Sequence, residues 1–188
     1  MSYQYSSRPL EWKEFKKLMR EMNRSIADKH NIYRKKYAQI QTLMAIGAYL
    51  GPLAMELLSI KWNQVRGVGA YFFVNESYRQ PLVIDKELKS IIDKNYNIVN
   101  PLSDQAYIIS ENAAGLSGKP LAPIKFNNML DNVFKQFGID IPSPSSITLR
   151  RTFARKVWQD DGGSEGITQE LAMELRLYAG SVKRYIQT

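Results

Sequence analysis

"ITLRRTFARKVW", residues 147–158, sets two adjacent arginines into the opening turns of a segment otherwise patterned for a protein core. In a helix, residues 147, 150, 154 and 157 share one stripe, so Arg150 falls in line with Ile147, Ala154 and Val157. A guanidinium among apolar side chains needs a partner, because its burial without a counter-ion is costly; its rigid five-donor fork matches a carboxylate or a phosphate. Two partners fit: an internal carboxylate such as Glu56, or an external phosphate. Arg151 and Arg155, four apart on a neighbouring face, either line a phosphate backbone or face water.

Working outward, "DIPSPSS" breaks the chain just before this helix and offers Ser145 or Ser146 as its N-cap. Upstream, "IKFNNMLDNVFKQFGI" spaces Phe126, Met129, Leu130, Val133, Phe134 and Phe137 as one helical stripe, closed by Gly138. The Gly- and Pro-rich "ENAAGLSGKPLAP" is irregular and follows a short apolar run, "AYIIS". "GAYFFVNESYRQPLVID" reads as a hairpin about the polar "NESYR", and "KELKSIIDKN" returns to helix. Two apolar segments, "YAQIQTLMAIGAYL" and "GPLAMELLSIKW", meet at a Gly51-Pro52 break and form the expected core. In "PLEWKEFKKLMREM", Trp12, Phe15, Met19 and Met22 make the apolar face of an amphipathic helix whose lysines and arginines form a candidate phosphate track. The fold class expected is α+β, mostly helical, with one small antiparallel sheet.

Composition narrows the chemistry. The chain has 188 residues, 44% of them hydrophobic, which suits a single domain over residues 1–188 with a real core. It has no cysteine, which excludes disulfides, thiolate zinc sites and a cysteine nucleophile. The one histidine, His30, lies in the polar run "DKHNIYRKK" and reads as a surface loop residue, so a histidine-rich metal site is excluded as well. No run of eighteen apolar residues occurs and the start lacks a signal-peptide core, so a soluble, cytoplasmic protein without membrane contact is expected. The net charge is +8, and residues 1–40 carry ten basic and four acidic side chains, which makes polyanions plausible partners.

The end of the chain adds a second signal. In "LAMELRLYAGSVKRYIQT", Lys183 and Arg184 precede Tyr185 three residues from the last position. Neighbouring cations favour the phenolate of a tyrosine, which fits a phenol that attacks a phosphate from a mobile terminus.

In block order these segments resemble the catalytic domain of the tyrosine recombinases, or phage integrases. "PLEWKEFKKLM" looks like that family's opening helix, and "GPLAMELLSIKWNQV" like its Gly-Leu-Arg-x-x-Glu-Leu-x-x-Leu-x-Trp segment. "ITLRRTFARKVW" is similar to the His-x-Leu-Arg-His-Thr-Phe-Ala box, and "KRY" stands where the family places its nucleophile. The resemblance implies two arginines that clamp a scissile phosphate, a hairpin lysine and two histidine-like donors that assist proton transfer, and a tyrosine that forms a 3′-phosphotyrosyl DNA link. It implies no metal and no nucleotide cofactor. It also implies double-stranded DNA and other recombinase subunits as partners, without the family's separate amino-terminal core-binding domain.

Carried over by position, Arg150 matches the second arginine, Tyr185 the nucleophile, and Glu56 the acidic residue that buttresses the site. Arg176, nine before Tyr185, takes the place of the later histidine or tryptophan. The resemblance adds Arg151, Arg155, Lys183, Arg184 and Arg79 as DNA-contacting cations. Three positions depart from the pattern: Leu53 stands for the first arginine, Ile147 for the box histidine, and Asn75 or Val74 near the hairpin lysine, with Arg79 the nearest cation. One pre-organised donor at a developing oxyanion is worth roughly a hundredfold to a thousandfold in rate, and general acid or base help about another hundredfold or more. Losing three such groups should leave little strand cleavage. The expected function is therefore DNA binding of the recombinase or integrase type, linked to a mobile element, with impaired catalysis; the alternative is an active recombinase working through Tyr185.

Overall fold

The computed structural model describes residues 7–66, 71–72, 82–111 and 118–187. Its first helix, α1 (Trp12–Ala27), turns Phe15, Leu18, Met19, Met22 and Ile26 inward, at the spacing its sequence carries. The next, α2 (Arg34–Leu50), is buried over most of its length and stops at Gly51, whose φ of +63° is left-handed backbone that glycine adopts without strain. Two short helices follow, α3 (Ala54–Leu58) and α4 (Trp62–Arg66). Strands β1 (Tyr71–Phe72) and β2 (Leu82–Val83) pair antiparallel, with Tyr71 opposite Val83. The hairpin turn expected between them, with Val74, Asn75 and Arg79, lies outside the described residues.

Helix α5 (Lys86–Val99) is capped by Asp85, whose carboxylate accepts from the Leu88 N–H at 2.7 Å. It packs along α2, and their contact contains a small buried polar knot. The Asn95 amide donates to Gln41 Oε1 at 2.9 Å, and Gln41 in turn donates to the Met19 carbonyl at 3.0 Å. These bonds fix the register of α1, α2 and α5, because a one-turn slip would leave buried polar groups unpaired. Helix α6 (Pro123–Gln136) buries Phe126, Leu130, Val133 and Phe134 and ends at Gly138, with φ +70°.

Helix α7 (Ser146–Asp160) carries the two arginines. Ser145 takes the N-cap position and its N–H donates to Thr148 Oγ1 at 3.0 Å, while the Ser146 N–H donates to Asn127 Oδ1 at 3.2 Å. Gly47 lets α7 approach α2 closely: a methyl there would stand 3.0 Å from the Leu149 side chain. Two helices close the fold, α8 (Glu165–Glu174) and α9 (Ala179–Gln187).

The buried apolar residues fall into two clusters. The larger joins α1 to α6 and takes in Leu149 from α7. The smaller contains Phe153, Ala154, Leu171, Ala172, Leu175, Val182, Tyr185 and Ile186, and so holds α8 and α9 against the other half of α7. Helix α7 is the element common to both. Among the described residues no helix is long and apolar enough to cross a membrane, and no group of acidic and histidine side chains is placed to hold a metal ion.

Candidate functional site

Arg150 lies one and a half turns into α7, only 8% exposed. Its Nη2 donates to the Leu175 carbonyl at 2.6 Å, at the end of α8. Its Nε is buried without a hydrogen-bond partner, and the guanidinium makes no ion pair among the described residues. The internal carboxylate Glu56 is therefore not its partner. Glu174 lies close enough for its carboxyl to feel the Arg150 charge, yet loss of hydration outweighs that attraction and, with Glu170 nearby, holds the Glu174 pKa above its usual range. Beyond the through-space attraction of Glu174, Arg150 thus has most of its donor fork unused and no anion in ion-pair contact among the described residues, which is costly in a nearly closed environment.

Glu56 serves the neighbouring cation instead. It is buried on α3, where Oε2 accepts from the Leu53 N–H at 2.8 Å and Oε1 faces Arg176 Nη2 at 3.3 Å. Arg176 follows α8 with φ +51°, a left-handed conformation uncommon for a residue with a Cβ. The Leu177 N–H reaches the Ala172 carbonyl at 2.8 Å, and the Arg176 N–H the Met173 carbonyl at 3.2 Å. This is the glycine-type helix stop, built here with an arginine. Its effect is to turn Leu175 O toward Arg150 and the Arg176 side chain toward Glu56.

Arg151 departs from the sequence expectation. It is fully buried, with Nε donating to the Tyr185 carbonyl at 2.6 Å and Nη1 to the Ser7 carbonyl. Its guanidinium carbon sits 5.6 Å from the centre of the Tyr185 ring. Neither a phosphate-lining face nor a solvent face is available to it. Arg155, one turn on, is half-buried and repeats the arrangement: Nη2 pairs with Glu11 and Nη1 donates to the Ile186 carbonyl at 3.3 Å. Both arginines therefore tie the segment that leads into α1 to the last turns of α9. Thr148 and Thr152 complete the seam. The Thr148 hydroxyl donates to Ser7 Oγ at 2.9 Å, and Thr152 Oγ1 accepts from the Leu10 N–H at 3.0 Å.

Tyr185 is not on a loose terminus. It is 4% exposed within the smaller cluster, on the inner side of α9, while Lys183 and Arg184 on the same helix face outward. Leu53 occupies the N-cap position of α3, and Ile147, expected in the apolar stripe, is 45% exposed at the start of α7. Contacts thus gather Arg150, Leu175, Arg176, Glu56 and Leu53 into one neighbourhood, and Tyr185 joins the same turn of α7 through Arg151. Sequence reasoning missed Ser7 and the Leu175 carbonyl, the groups that fix these arginines. Both act through backbone oxygens, which every residue type supplies, so no residue signal marks them.

No protein-family model matches the sequence, and no curated protein does. Among solved structures the chain is similar to XerA recombinase, with a TM-score of 0.69 and 16% identity over 100% of this chain and 61% of that one. It is similar to XerH site-specific recombinase in a post-cleavage complex with palindromic difH substrate, with a TM-score of 0.67 and 15% identity over 98% of this chain and 51% of that one. Against the pre-cleavage complex of XerH with difH, the TM-score is 0.68 at 15% identity, over 96% of this chain and 50% of that one. The chain spans about half to three fifths of the length of these proteins. Nearly all of the described path, from α1 to the helix that carries Tyr185, is shared with them, and the chain has the fold of a tyrosine-recombinase catalytic domain.

Proposed function

We propose that the protein binds double-stranded DNA in the manner of a tyrosine recombinase or integrase, in the recombination or integration of a mobile element, and cleaves strands poorly or not at all. The observation that carries this reading is Arg150: a nearly buried guanidinium with one carbonyl partner, an unpaired Nε and no carboxylate in ion-pair contact among the described residues. A phosphate oxygen at this guanidinium would supply the missing anion. The groups that would assist the chemistry are depleted around it. Leu53 and Ile147 carry no donor where the family has arginine and histidine, and the Arg176 guanidinium is a poor proton donor and is paired with Glu56. Arg151, buried against two carbonyls, is not free to replace a missing cation.

The test uses a nicked duplex taken from the chain's own genomic neighbourhood, which traps any phosphotyrosyl intermediate. The expected result is salt-sensitive binding, weakened in Arg150→Ala, with no covalent protein–DNA adduct. An adduct that disappears in Tyr185→Phe would establish the active-recombinase alternative instead. Absence of binding at low salt would remove the DNA reading altogether.

A further inference from the structure

We propose that the outer face of α1 is a second phosphate-contacting track, separate from Arg150, along which Lys13, Lys17 and Arg20 follow the backbone of a DNA duplex. The inference rests on the DNA-binding reading above and adds to it a surface that the site does not use.

Lys13, Lys17, Arg20 and Arg24 are all exposed, and their spacings of four, three and four place them on one stripe of the helix. The stripe is opposite the buried face formed by Phe15, Leu18, Met19, Met22 and Ile26. From Lys13 to Arg24 it is about 16 Å long, with a cation roughly every 5.4 Å turn. The carboxylates of this stretch are all engaged, two of them off the stripe and Glu21 by the last cation on it. Glu11 is held by Arg155, Glu14 by Arg8, and Glu21 by Arg24. Lys13, Lys17 and Arg20 make no ion pair or hydrogen bond among the described residues, in contrast to Lys16, Lys89, Lys135 and Lys156, each of which is paired with an acid.

An amphipathic helix needs a polar outer face, but not one of a single sign. Like charges one turn apart oppose helix formation, and interspersed acids would solvate the face equally well. The concentration of unpaired positive charge is thus a feature that folding does not require. Insertion into a lipid surface is disfavoured because the apolar side chains that would enter it are spent on the packing against α2. The track is also distinct from Arg150. The far half of α7 meets the start of α1, through Arg155 with Glu11 and through Lys156 over the Trp12 ring at 5.1 Å, whereas Arg150 lies in the near half beside Leu175.

The test compares the salt dependence of binding to a linear duplex for the intact chain, for Lys13→Gln/Lys17→Gln/Arg20→Gln, and for Arg150→Ala, with Lys86→Gln/Lys119→Gln, two exposed lysines elsewhere on the surface, as a control read per cation removed. Each phosphate neutralised contributes a slope of about −0.9 in log K against log salt, so losing three should flatten the slope by about 2.7. Between 50 and 200 mM salt that is roughly a 40-fold smaller loss of affinity for the variant than for the intact chain. If the intact chain binds DNA, Arg150→Ala weakens it, and the triple variant keeps the original slope, the track is wrong while the DNA reading stands. If the intact chain does not bind DNA at any salt, the DNA reading itself fails. Loss of binding to phosphatidylserine vesicles in the triple variant, with DNA slopes unchanged, would assign the face to a membrane surface and overturn the proposal.

Discussion

At the scale of single residues, adjacent arginines of one helix have opposite duties. Arg150 has an unpaired nitrogen and no ion pair among the described residues; Arg151 is closed in between two carbonyls. Arg151→Ala should therefore act on stability. It leaves the Tyr185 and Ser7 carbonyls without their charged donor and opens a cavity, a loss of about 3 kcal/mol, or roughly 6–12 °C in Tm at this chain length. Urea unfolding measures it, and Arg151→Lys should recover only part, since one ammonium cannot span both oxygens. Unchanged stability with a flatter DNA salt slope would mean that Arg151 faces the nucleic acid after all. Arg176 allows a finer comparison, because its left-handed backbone suits glycine. Arg176→Ala and Arg176→Gly both lose the half-exposed pair with Glu56, but only alanine keeps the backbone cost. The glycine variant should be the more stable of the two by about 1 kcal/mol, read from their urea midpoints. Equal midpoints would show that the strain is absent.

At the scale of elements, the long helices were legible because an apolar stripe with period 3.6 is written directly in α1 and α6, and a long apolar run marks α2 as a buried helix. Glycine stops at Gly51 and Gly138 were legible for the same local reason. The burial of Arg151 was not. Its partners are 144 and 34 residues away in the chain and are backbone oxygens, so neither spacing nor residue type announces them. Ile147 was misread by the same logic: it lies on the stripe of Arg150 and Ala154, but at the first turn the stripe has already run past the packed surface. The two glycines separate backbone freedom from packing. At Gly138 a methyl would meet open space, so Gly138→Ala should cost only the left-handed penalty, about 1–2 kcal/mol. At Gly51 the same methyl would overlap the Phe153 ring in the smaller cluster. Gly51→Ala should therefore be more destabilising than Gly138→Ala by at least a further 1–3 kcal/mol, the usual range for overpacking. Similar urea midpoints for the two variants would show that α2 and α7 are not as closely joined there as described.

At the scale of the whole molecule, the division into two clusters determines how the protein opens. The larger cluster is spread over six helices, α1 to α6, whereas α8 and α9 depend on the smaller one and on the clasp of Arg151 and Arg155 to the residues that lead into α1. Opening free energy scales with the apolar contacts an element must give up, so α8 and α9 should detach from α7 before α2 and α5 separate. Native-state hydrogen exchange in increasing urea should show amides of α8 and α9 exchanging through a lower-energy, sub-global opening, while those of α2 and α5 exchange only with complete unfolding. Arg151→Ala should lower the free energy of that first opening by more than it lowers the second, because the carbonyl it releases belongs to α9. If all four helices exchange at one free energy and respond equally to the substitution, the clusters form a single cooperative unit, and the helix that carries Tyr185 cannot move without unfolding the fold that carries Arg150.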